Sequence, residues 1–241
     1  MRQTQKVRPL LCELHAHSTW SDGACGLREL VDLCGRRGFD VLCVTDHALP
    51  EDDPWWSDCV TSETYGAYLE AVDGAARRAW AHYGLLLLPG LELTYNHPDP
   101  DRGAHAVAVG LRCFPQVEDG LEPALAADLA AGAALIAAHP HGNEADPVPL
   151  RTTRRFWRER ERLAGLVDRF ELFNRNDVFG WVADEGLPVV ATGDFHRPEH
   201  LATWKTLLPC YKEPEAVVDY LRSRRPVYLV PLGDERLPRA A

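Results

Sequence analysis

Pairs of histidine and acidic residues separated by one position recur along this chain, each pair after a predicted strand. They are His15 and His17, His139 and His141, and Asp194 and His196. In an extended strand, residues i and i+2 point to the same face, so each pair can aim two side chains the same way. Imidazole and carboxylate groups together suit Zn²⁺, Mn²⁺ or Fe. The spacing therefore predicts preformed arms for a metal ion.

Single candidate ligands lie on other predicted strands. Asp46 and His47 end the second strand, Glu92 ends the third, Glu171 lies in a later one, and His105 lies near the start of its strand. Because the carboxyl ends of parallel barrel strands meet at one rim, ligands that are distant in sequence converge there. One such pair is weak evidence, but at least five strand ends that carry these groups favour a metal site over chance.

Apolar strands and longer helical patterns alternate along the sequence that carries these groups. The predicted strands are VRPLLCEL, FDVLCVT, LLLLPGLEL, AHAVAVGL, ALIAAH, DRFELF, LPVVATG and PVYLV. The alternation is typical of the βαβα order of a parallel sheet. Since no Pro-, Gly- or Ser-rich linker interrupts it, the pattern predicts one barrel-like α/β domain over residues 1–241.

Three predicted loops, 48–62, 94–103 and 142–152, are the rim segments expected to decide the substrate. Trp55 and Trp56 in the first loop would either stack on a substrate or pack the loop down, and packing is favoured.

Two further charged features have structural interpretations. The predicted helix RTTRRFWRERERLAGL carries six arginines between Arg151 and Arg162. On an acidic chain, a solvated face with i,i+4 ion pairs is favoured over a nucleic-acid stripe. The histidines in helix or loop contexts, His82, His97 and His200, are predicted to be structural.

Acidic residues outnumber basic ones. The 241 residues include 36 Asp and Glu against 26 Lys and Arg, a formal net charge of −10. This charge disfavours long nucleic acids but allows a small phosphorylated substrate held by a metal. No apolar run approaches the roughly 20 residues of a membrane span. The start lacks the core of a secretory signal, and seven scattered cysteines without CxxC spacing fit a cytoplasmic protein. The oligomeric state stays open.

The ordered motifs HAHS, SDG, TDH, GLE, GAHAVAVG, AHPH, ELFN and GDFH resemble the polymerase and histidinol phosphatase (PHP) family of metal-dependent phosphoesterases. The resemblance spans residues 11 to about 230. It implies a distorted, TIM-like (β/α)7 barrel with three divalent ions, Zn, Mn or Fe, at its rim. By this resemblance the metal ligands are His15, His17, Glu92 and Asp194 for one ion, Glu92, His105 and His139 for a second, and Asp22, His47 and His196 for the third.

Three acidic residues near these positions have more than one interpretation. Asp22 lies in Ser-Asp-Gly, which is also ordinary turn chemistry. Asp46 is interpreted as orienting a ligand histidine instead of binding a metal. Glu171 is either a carboxylate that bonds the site or a strand-end charge, and the sequence leaves both open.

Clustered divalent ions would lower the pKa of a bound water toward about 7 and neutralise charge on phosphoryl oxygens. The predicted activity is therefore hydrolysis of a phosphate ester of a small metabolite or nucleotide, with the hydroxide bridging the two ions that share Glu92. The predicted catalytic residues are Glu92, Asp194 and His196. The predicted phosphate contacts are His141, Arg175 and Arg197, since arginine matches phosphate oxygens with a planar fork.

Two other classes of function remain open. An amidohydrolase acting on C–N or C–O bonds also begins with HxH on a barrel strand. It typically has a bridging lysine or carboxylate on a middle strand and a terminal Asp without a partnered His, whereas Asp194 is followed by His196. The third class is a non-catalytic metal-binding module, which a complete ligand set disfavours.

Overall fold

A curled, mixed β-sheet is the framework of the computed structural model, which describes residues 8–53, 56–142 and 153–233. Its strands are β1 (Leu10–Glu13), β2 (Val41–Val44), β3 (His47–Ala48), β4 (Leu86–Tyr95), β5 (Ala104–Val109), β6 (Ala134–Ala138), β7 (Arg169–Asn174), β8 (Asp177–Val178), β9 (Val189–Thr192), β10 (Trp204–Leu208) and β11 (Tyr228–Pro231). Nine strands follow in the order β11-β10-β1-β2-β4-β5-β6-β7-β8, while β3 pairs with β4 and β9 with β7.

Helices connect many of these strands. They are α1 (Leu27–Arg37), α2 (Tyr65–Tyr83), α3 (Leu121–Ala130), α4 (Arg155–Arg158), α5 (Arg160–Leu163), α6 (Gly180–Asp184) and α7 (Pro214–Arg222). The arginine-rich segment forms two short helices instead of the one predicted, because Glu159 leaves the helical region with φ −112° and ψ 24°. Among the described residues, none of the helices combines the length and apolar character that crossing a bilayer requires.

Several strand directions differ from the parallel order that the sequence predicts. β1, β2 and β4 are parallel neighbours, but β5 is antiparallel to β4 and β6, and β10 is antiparallel to β1. The segment 96–103 between β4 and β5 is shorter than the dozen or so residues that a parallel crossover needs. The expected α/β class is confirmed. The ladders of the described residues form a curled sheet, however, and not a complete (β/α)7 barrel.

The antiparallel direction of β5 brings His105 to the rim. His105 pairs in register with Thr94, near the carboxyl end of β4, and with Ala138, at the carboxyl end of β6. A residue at the start of an antiparallel strand therefore lies beside the ends of its two neighbours. This explains why a ligand candidate near the start of a strand accompanies candidates that follow strand ends.

Apolar side chains pack on both faces of the sheet. Because side chains alternate along a strand, Cys12 and Val41 enter one buried cluster while Leu11 and Leu42 enter the other. The second of these clusters includes the buried faces of α1 and α2. Strands buried on both faces hold the polar residues at their ends in fixed positions.

The ends of β1 and β9 meet at a seam, which we define as residues 13–17, at and after the end of β1, together with residues 191–196, at and after the end of β9. An isolated parallel bridge joins Ala16 and Phe195. The His17 amide donates to the Phe195 carbonyl over 2.7 Å, and the Phe195 amide donates to the His15 carbonyl over 3.0 Å. The seam thus places the histidines that follow β1 beside the acid and histidine that follow β9.

Candidate metal centre

Nine predicted ligands converge at one end of the sheet, beside a cavity of about 290 Å³. They come from the ends of β1, β4, β6 and β9, the start of β5, the strand β3 and the turn after β1. The nine residues are His15, His17, Asp22, His47, Glu92, His105, His139, Asp194 and His196. The ligand atoms of eight of these residues form three groups, each within 4.8 Å: His15, His17 and Glu92; Glu92, His105 and His139; and His17, Asp22, His47 and His196. The ninth residue, Asp194, lies beside the first group.

The first group lies deepest. The Nε2 atoms of His15 and His17 are 3.0 Å apart. Oε2 of Glu92 lies 3.4 Å from each of them, and Oδ1 of Asp194 lies 3.6 Å from each. All four side chains are at most 5% exposed.

The second group surrounds the other oxygen of Glu92. Its Oε1 lies 3.3 Å from His105 Nδ1 and 3.2 Å from His139 Nε2. On the far side of its ring, His105 Nε2 donates to Asn96 Oδ1 over 3.1 Å. This bond leaves the lone pair on Nδ1, which faces Glu92. One carboxylate therefore bridges the first and second groups.

The third group is the most open, because its carboxylate, Asp22, has a side chain 47% exposed. Asp22 lies 3.5 Å from His47 Nε2 through Oδ1 and 3.1 Å from His196 Nε2 through Oδ2. Burial lowers the pKa of both imidazoles, but neighbouring carboxylates outweigh it and raise the pKa of His47 to about 10 and that of His196 to about 9. A cation that binds here must displace protons, so its affinity rises with pH.

Charge within the first group is arranged for a cation. Burial raises the pKa of Glu92 and Asp194, but nearby imidazoles, His15 foremost, hold both values well below the usual range. The pKa of His17 lies well below its usual value because neighbouring imidazoles add to the effect of burial. Ionised carboxylates and a neutral imidazole are the forms that bind metal ions.

The donor geometry fits a divalent ion. In zinc sites with bonds of about 2.1 Å, neighbouring ligand atoms lie roughly 3.0–3.4 Å apart. The separations in the first group, 3.0 to 3.6 Å, are of this size. Two imidazole Nε2 atoms that face each other at 3.0 Å need either a shared proton or a cation between them.

Glu171 is fully buried and contacts the first group on the side of His15 away from the other ligand atoms. Its Oε1 lies 2.9 Å from His15 Nδ1 and accepts the Thr192 hydroxyl, while its Oε2 accepts the His139 amide over 2.6 Å and the Asn174 side chain. A proton on His15 Nδ1 directs the lone pair of Nε2 into the site. Of the two interpretations left open, the structure favours the carboxylate that bonds the site.

Asp46 acts on a loop instead of directly on a histidine. Oδ1 accepts the Ser18 amide and the Ser21 hydroxyl, and Oδ2 accepts the Ser18 hydroxyl, all within 2.7 to 2.8 Å. Ser21 Oγ in turn lies 3.4 Å from His17 Nδ1. Asp46 therefore orients the turn that carries Asp22 and reaches His17 through Ser21.

The three predicted phosphate contacts lie in different settings. Arg175 lines the cavity and contacts the site through Nη2, 3.0 Å from Asp194 Oδ2 and 3.1 Å from His196 Nδ1. Arg197 is exposed and is not among the residues that line the cavity. His141 is also outside this lining, and its amide donates to the Thr153 carbonyl.

The backbone between His139 and His141 is not extended. The expectation that both point the same way assumes extended geometry, but His139 has φ 32°. Left-handed conformations at non-glycine residues are strained and cluster at functional sites. Asp194 (φ 42°) and Arg175 (φ 54°) share this feature, so three residues at or beside the centre adopt it.

Residues that the sequence did not single out also line the cavity: Leu49, Asp58, Thr94 and Asn96. The first two lie in the predicted loop 48–62 and the others in the predicted loop 94–103, of which Thr94 still belongs to β4. Position after a strand end was the signal that could have identified Asn96. Trp56 is 38% exposed, while Trp55 and residues 143–152 of the third predicted rim loop lie outside the described residues.

The three histidines predicted to be structural lie outside the three ligand groups. His82 is exposed on α2, and His97 is exposed beyond β4. His200 accepts the His196 amide through Nδ1 over 3.1 Å, so it supports the site without belonging to the three groups.

Comparison with solved structures places this geometry in a known fold. A two-domain protein from Bacteroides vulgatus ATCC 8482, which contains a predicted PHP-like metal-dependent phosphoesterase, matches with a TM-score of 0.71 and 23% identity. The chain has a PHP-like fold. The match covers 95% of this chain and 66% of the Bacteroides chain, so the present chain spans less than two thirds of that protein.

Two further solved structures match this chain more loosely. A protein from Bifidobacterium adolescentis ATCC 15703, assigned as a metal-dependent phosphoesterase, has a TM-score of 0.52 and 16% identity, with 78% of this chain and 88% of the other covered. An amidohydrolase from Chromobacterium violaceum, with bound sulfate and no metal, has a TM-score of 0.55 and 17% identity, with 92% and 98% covered.

Sequence comparison alone gives little. No family model matches the chain. A segment of 36 residues, 15% of the chain, is 47% identical to DNA polymerase/3'-5' exonuclease PolX of Bacillus subtilis (strain 168), of which it covers 6%. The neighbours show the fold, and the nine converging side chains are of the types that bind divalent metal ions.

Proposed function

We propose that this chain is a PHP-family phosphoesterase that hydrolyses a phosphate ester of a small metabolite or nucleotide at a centre of three divalent ions. The observation that carries the proposal is Glu92, a buried carboxylate whose two oxygens face two different groups of histidines. A bridging acid of this kind suits adjacent cations. The third group, around Asp22, supplies the remaining ligands.

The ligand sets are those expected from the sequence. His15, His17, Glu92 and Asp194 would hold one ion, Glu92, His105 and His139 a second, and Asp22, His47 and His196 the third, with Zn, Mn or Fe as the metal. Bound there, the ions would activate water and neutralise phosphoryl charge. Glu92, Asp194 and His196 are the proposed catalytic residues.

The chain's own groups have separate tasks. Arg175 lies at the cavity wall with part of its guanidinium engaged by Asp194, and its remaining N–H groups can donate to a phosphate. Glu171 holds His15 in the tautomer that presents Nε2. Among the described residues that line the cavity, Arg175 is the one arginine, so we assign it the main protein contact with the substrate phosphate.

The size and charge of the site favour a small substrate. A cavity of about 290 Å³ is at the lower end for small-molecule sites. The net charge of −10 repels long polyanions. We therefore propose a small phosphorylated compound over extended nucleic acid, and the free cysteines fit the cytoplasm as the compartment.

The test combines metal analysis with phosphate release. Purified protein is stripped with a chelator, reloaded with Mn²⁺, Fe²⁺ or Zn²⁺, and assayed against a panel of phosphate monoesters and diesters. We expect about three ions per chain and activity that depends on them. Asp194→Asn and His17→Ala should abolish turnover, whereas His82→Ala, on an exposed face of α2, should leave it unchanged. Full turnover by the stripped protein would reject the proposal.

An amidohydrolase is the second candidate, favoured by the Chromobacterium neighbour. The same reloaded protein, assayed with amides, lactones and cyclic ureas, distinguishes the two. Turnover of these compounds without phosphate release would favour the amidohydrolase. Binding of metal without turnover of either class would favour a non-catalytic metal-binding module.

A further inference from the structure

We propose that the buried ion pair between Glu13 and Lys205 is a positioning element that sets the spacing of His15 and Asp194 and thereby the metal affinity of the centre. Lys205 Nζ lies 2.9 Å from Glu13 Oε2, and both side chains are fully buried. The inference rests on the proposed function only in treating His15 and Asp194 as metal ligands.

Stability alone explains such a pair poorly. Removing two charges from water costs several kcal/mol per ion, and apolar residues of similar volume are often as stabilising. Glu13 and Lys205 do not line the cavity, so substrate does not account for them either. What distinguishes the pair is its set of other contacts.

Glu13 ties both sides of the seam through one oxygen. Its Oε1 accepts the Gly193 amide over 2.8 Å and the His15 amide over 3.3 Å. Gly193 directly precedes Asp194, so the same carboxylate holds the backbone of both proposed ligands. The bridge between Ala16 and Phe195 is isolated, so no continuous ladder joins the two sides of the seam. The hydrogen bonds of Glu13 add two connections there.

Lys205 ties the segment that carries the next proposed ligand. Its ammonium group donates to the His200 carbonyl over 3.0 Å and to the Thr203 hydroxyl over 2.7 Å. His200 Nδ1 accepts the amide of His196 over 3.1 Å. The pair therefore connects β1, the end of β9 and the turn after it.

Gly193 provides an independent observation. A Cβ at this position would overlap Glu13 Oε2 and Lys205 Nζ. Its φ lies outside the left-handed region, so the residue is glycine because of space and not because of backbone conformation. The chain thus leaves room beside Asp194 specifically for the ion pair.

Two variants disturb the pair in different ways. Gly193→Ala pushes it away from the seam, and Gly66→Ala is the matched control, because nothing lies within 4 Å of a Cβ there. Replacing only one charged partner would leave the other as an uncompensated charge in the interior. The second variant is therefore the double replacement Glu13→Gln with Lys205→Met, which is neutral and of similar volume.

The measurements are Mn²⁺ and Zn²⁺ affinity by competition with a chromophoric chelator, metal content per chain, and the Tm of the metal-free protein. We expect both variants to lose about 10- to 100-fold in affinity for at least one ion, with the control unchanged. A merely structural role would lower Tm and leave the affinity of the folded protein within about twofold of wild type, which would overturn the inference.

The outcome is separable from that of the proposed function. Wild-type protein that binds metal but hydrolyses no phosphate ester would reject the function, while the affinities of the variants would still test the positioning role. Wild-type protein that binds no divalent ion would overturn both.

Discussion

Charged side chains gather in two regions of this molecule, the rim of the sheet and the outer surface around α4 and α5, and they are paired in opposite ways. On the outer surface each arginine meets acids: Arg154 contacts Asp101 at 2.6 Å, and Arg155 and Arg162 both contact Glu122. At the rim, imidazoles face one another as well as carboxylates: the Nε2 atoms of His15 and His17 lie 3.0 Å apart, and Glu92 lies 3.4 Å from each.

The difference indicates which cluster needs a further component. Exposed opposite charges neutralise each other and contribute little stability, about 0–1 kcal/mol per pair. Buried groups of one kind that face each other are costly unless a cation or proton lies between them. The rim therefore has the donor arrangement that suits a cation, whereas the arginines of the outer cluster are neutralised by their own acids. The following substitutions test that contrast, from the largest expected effect to the smallest.

Glu92→Gln should have the largest effect, because Glu92 belongs to two of the three groups and its Oε2 also lies 2.9 Å from His47 Nδ1 of the third. Glutamine keeps the shape but removes the charge. We expect kcat/KM to fall on the order of 10³-fold or more, with loss of bound metal by elemental analysis. Full metal content together with full turnover would contradict the contrast drawn above.

Glu171→Gln tests the support beneath the ligands. The change weakens the bond to His15 Nδ1, which is 2.9 Å in length, so His15 loses the partner that fixes its tautomer. Metal affinity should fall about 10- to 100-fold, as measured by chelator competition. A matched acid outside the site, Asp219→Asn on the exposed face of α7, should leave the affinity unchanged.

Arg175→Ala should raise KM about tenfold with a smaller change in kcat, because it removes a charge-assisted donor from the cavity wall. Arg175→Lys should fall between, since lysine lacks the planar fork. Arg197→Ala provides the comparison. That residue is exposed and outside the cavity lining, so we expect the smaller effect there. The reverse order in steady-state kinetics would reassign the phosphate contact.

Asp128 is a buried acid of α3, outside both clusters. Burial raises its pKa to about 7, and Oδ2 has no hydrogen-bond partner among the described residues. The unfolded chain ionises near pH 4, so the folded state loses stability as pH rises from about 4 to 7. Asp128→Asn should therefore raise the free energy of unfolding above pH 7, by about 4 kcal/mol, and should have little effect near pH 4. Urea unfolding at both pH values measures the difference.

Arg154→Ser combined with Arg155→Ser should have the smallest effect. These arginines are engaged by acids, and neither of them is among the residues that line the cavity. We expect unchanged kcat/KM at low and high salt and a loss of stability of about 1 kcal/mol or less per pair. A loss of kcat/KM that disappears at high salt would instead show that they steer an anionic substrate.

The residues that could be predicted from sequence are those whose positions follow from where a strand ends. His15, His17 and Glu92 could be placed at the rim because the apolar runs that precede them in the sequence mark where β1 and β4 end. The α/β class follows in the same way from the alternation of apolar strands and helices.

Other features depend on distant pairing that a single sequence does not encode locally. The antiparallel direction of β5, which brings His105 to the rim, follows from its neighbours, β4 and β6. The left-handed backbone of His139 breaks the extended geometry on which the prediction for the pair His139 and His141 depends. The strand β10 and its Lys205 were missed because a buried lysine is rare and looks like a surface residue.

The hairpin formed by β4 and β5 has a practical consequence for redesign. Its connection, 96–103, begins with Asn96 at the cavity wall, while the paired residues behind it are held by six registered partners. Loops of different length grafted at this tip should alter which compounds fit the cavity, while leaving the ladder that anchors Glu92 and His105 intact.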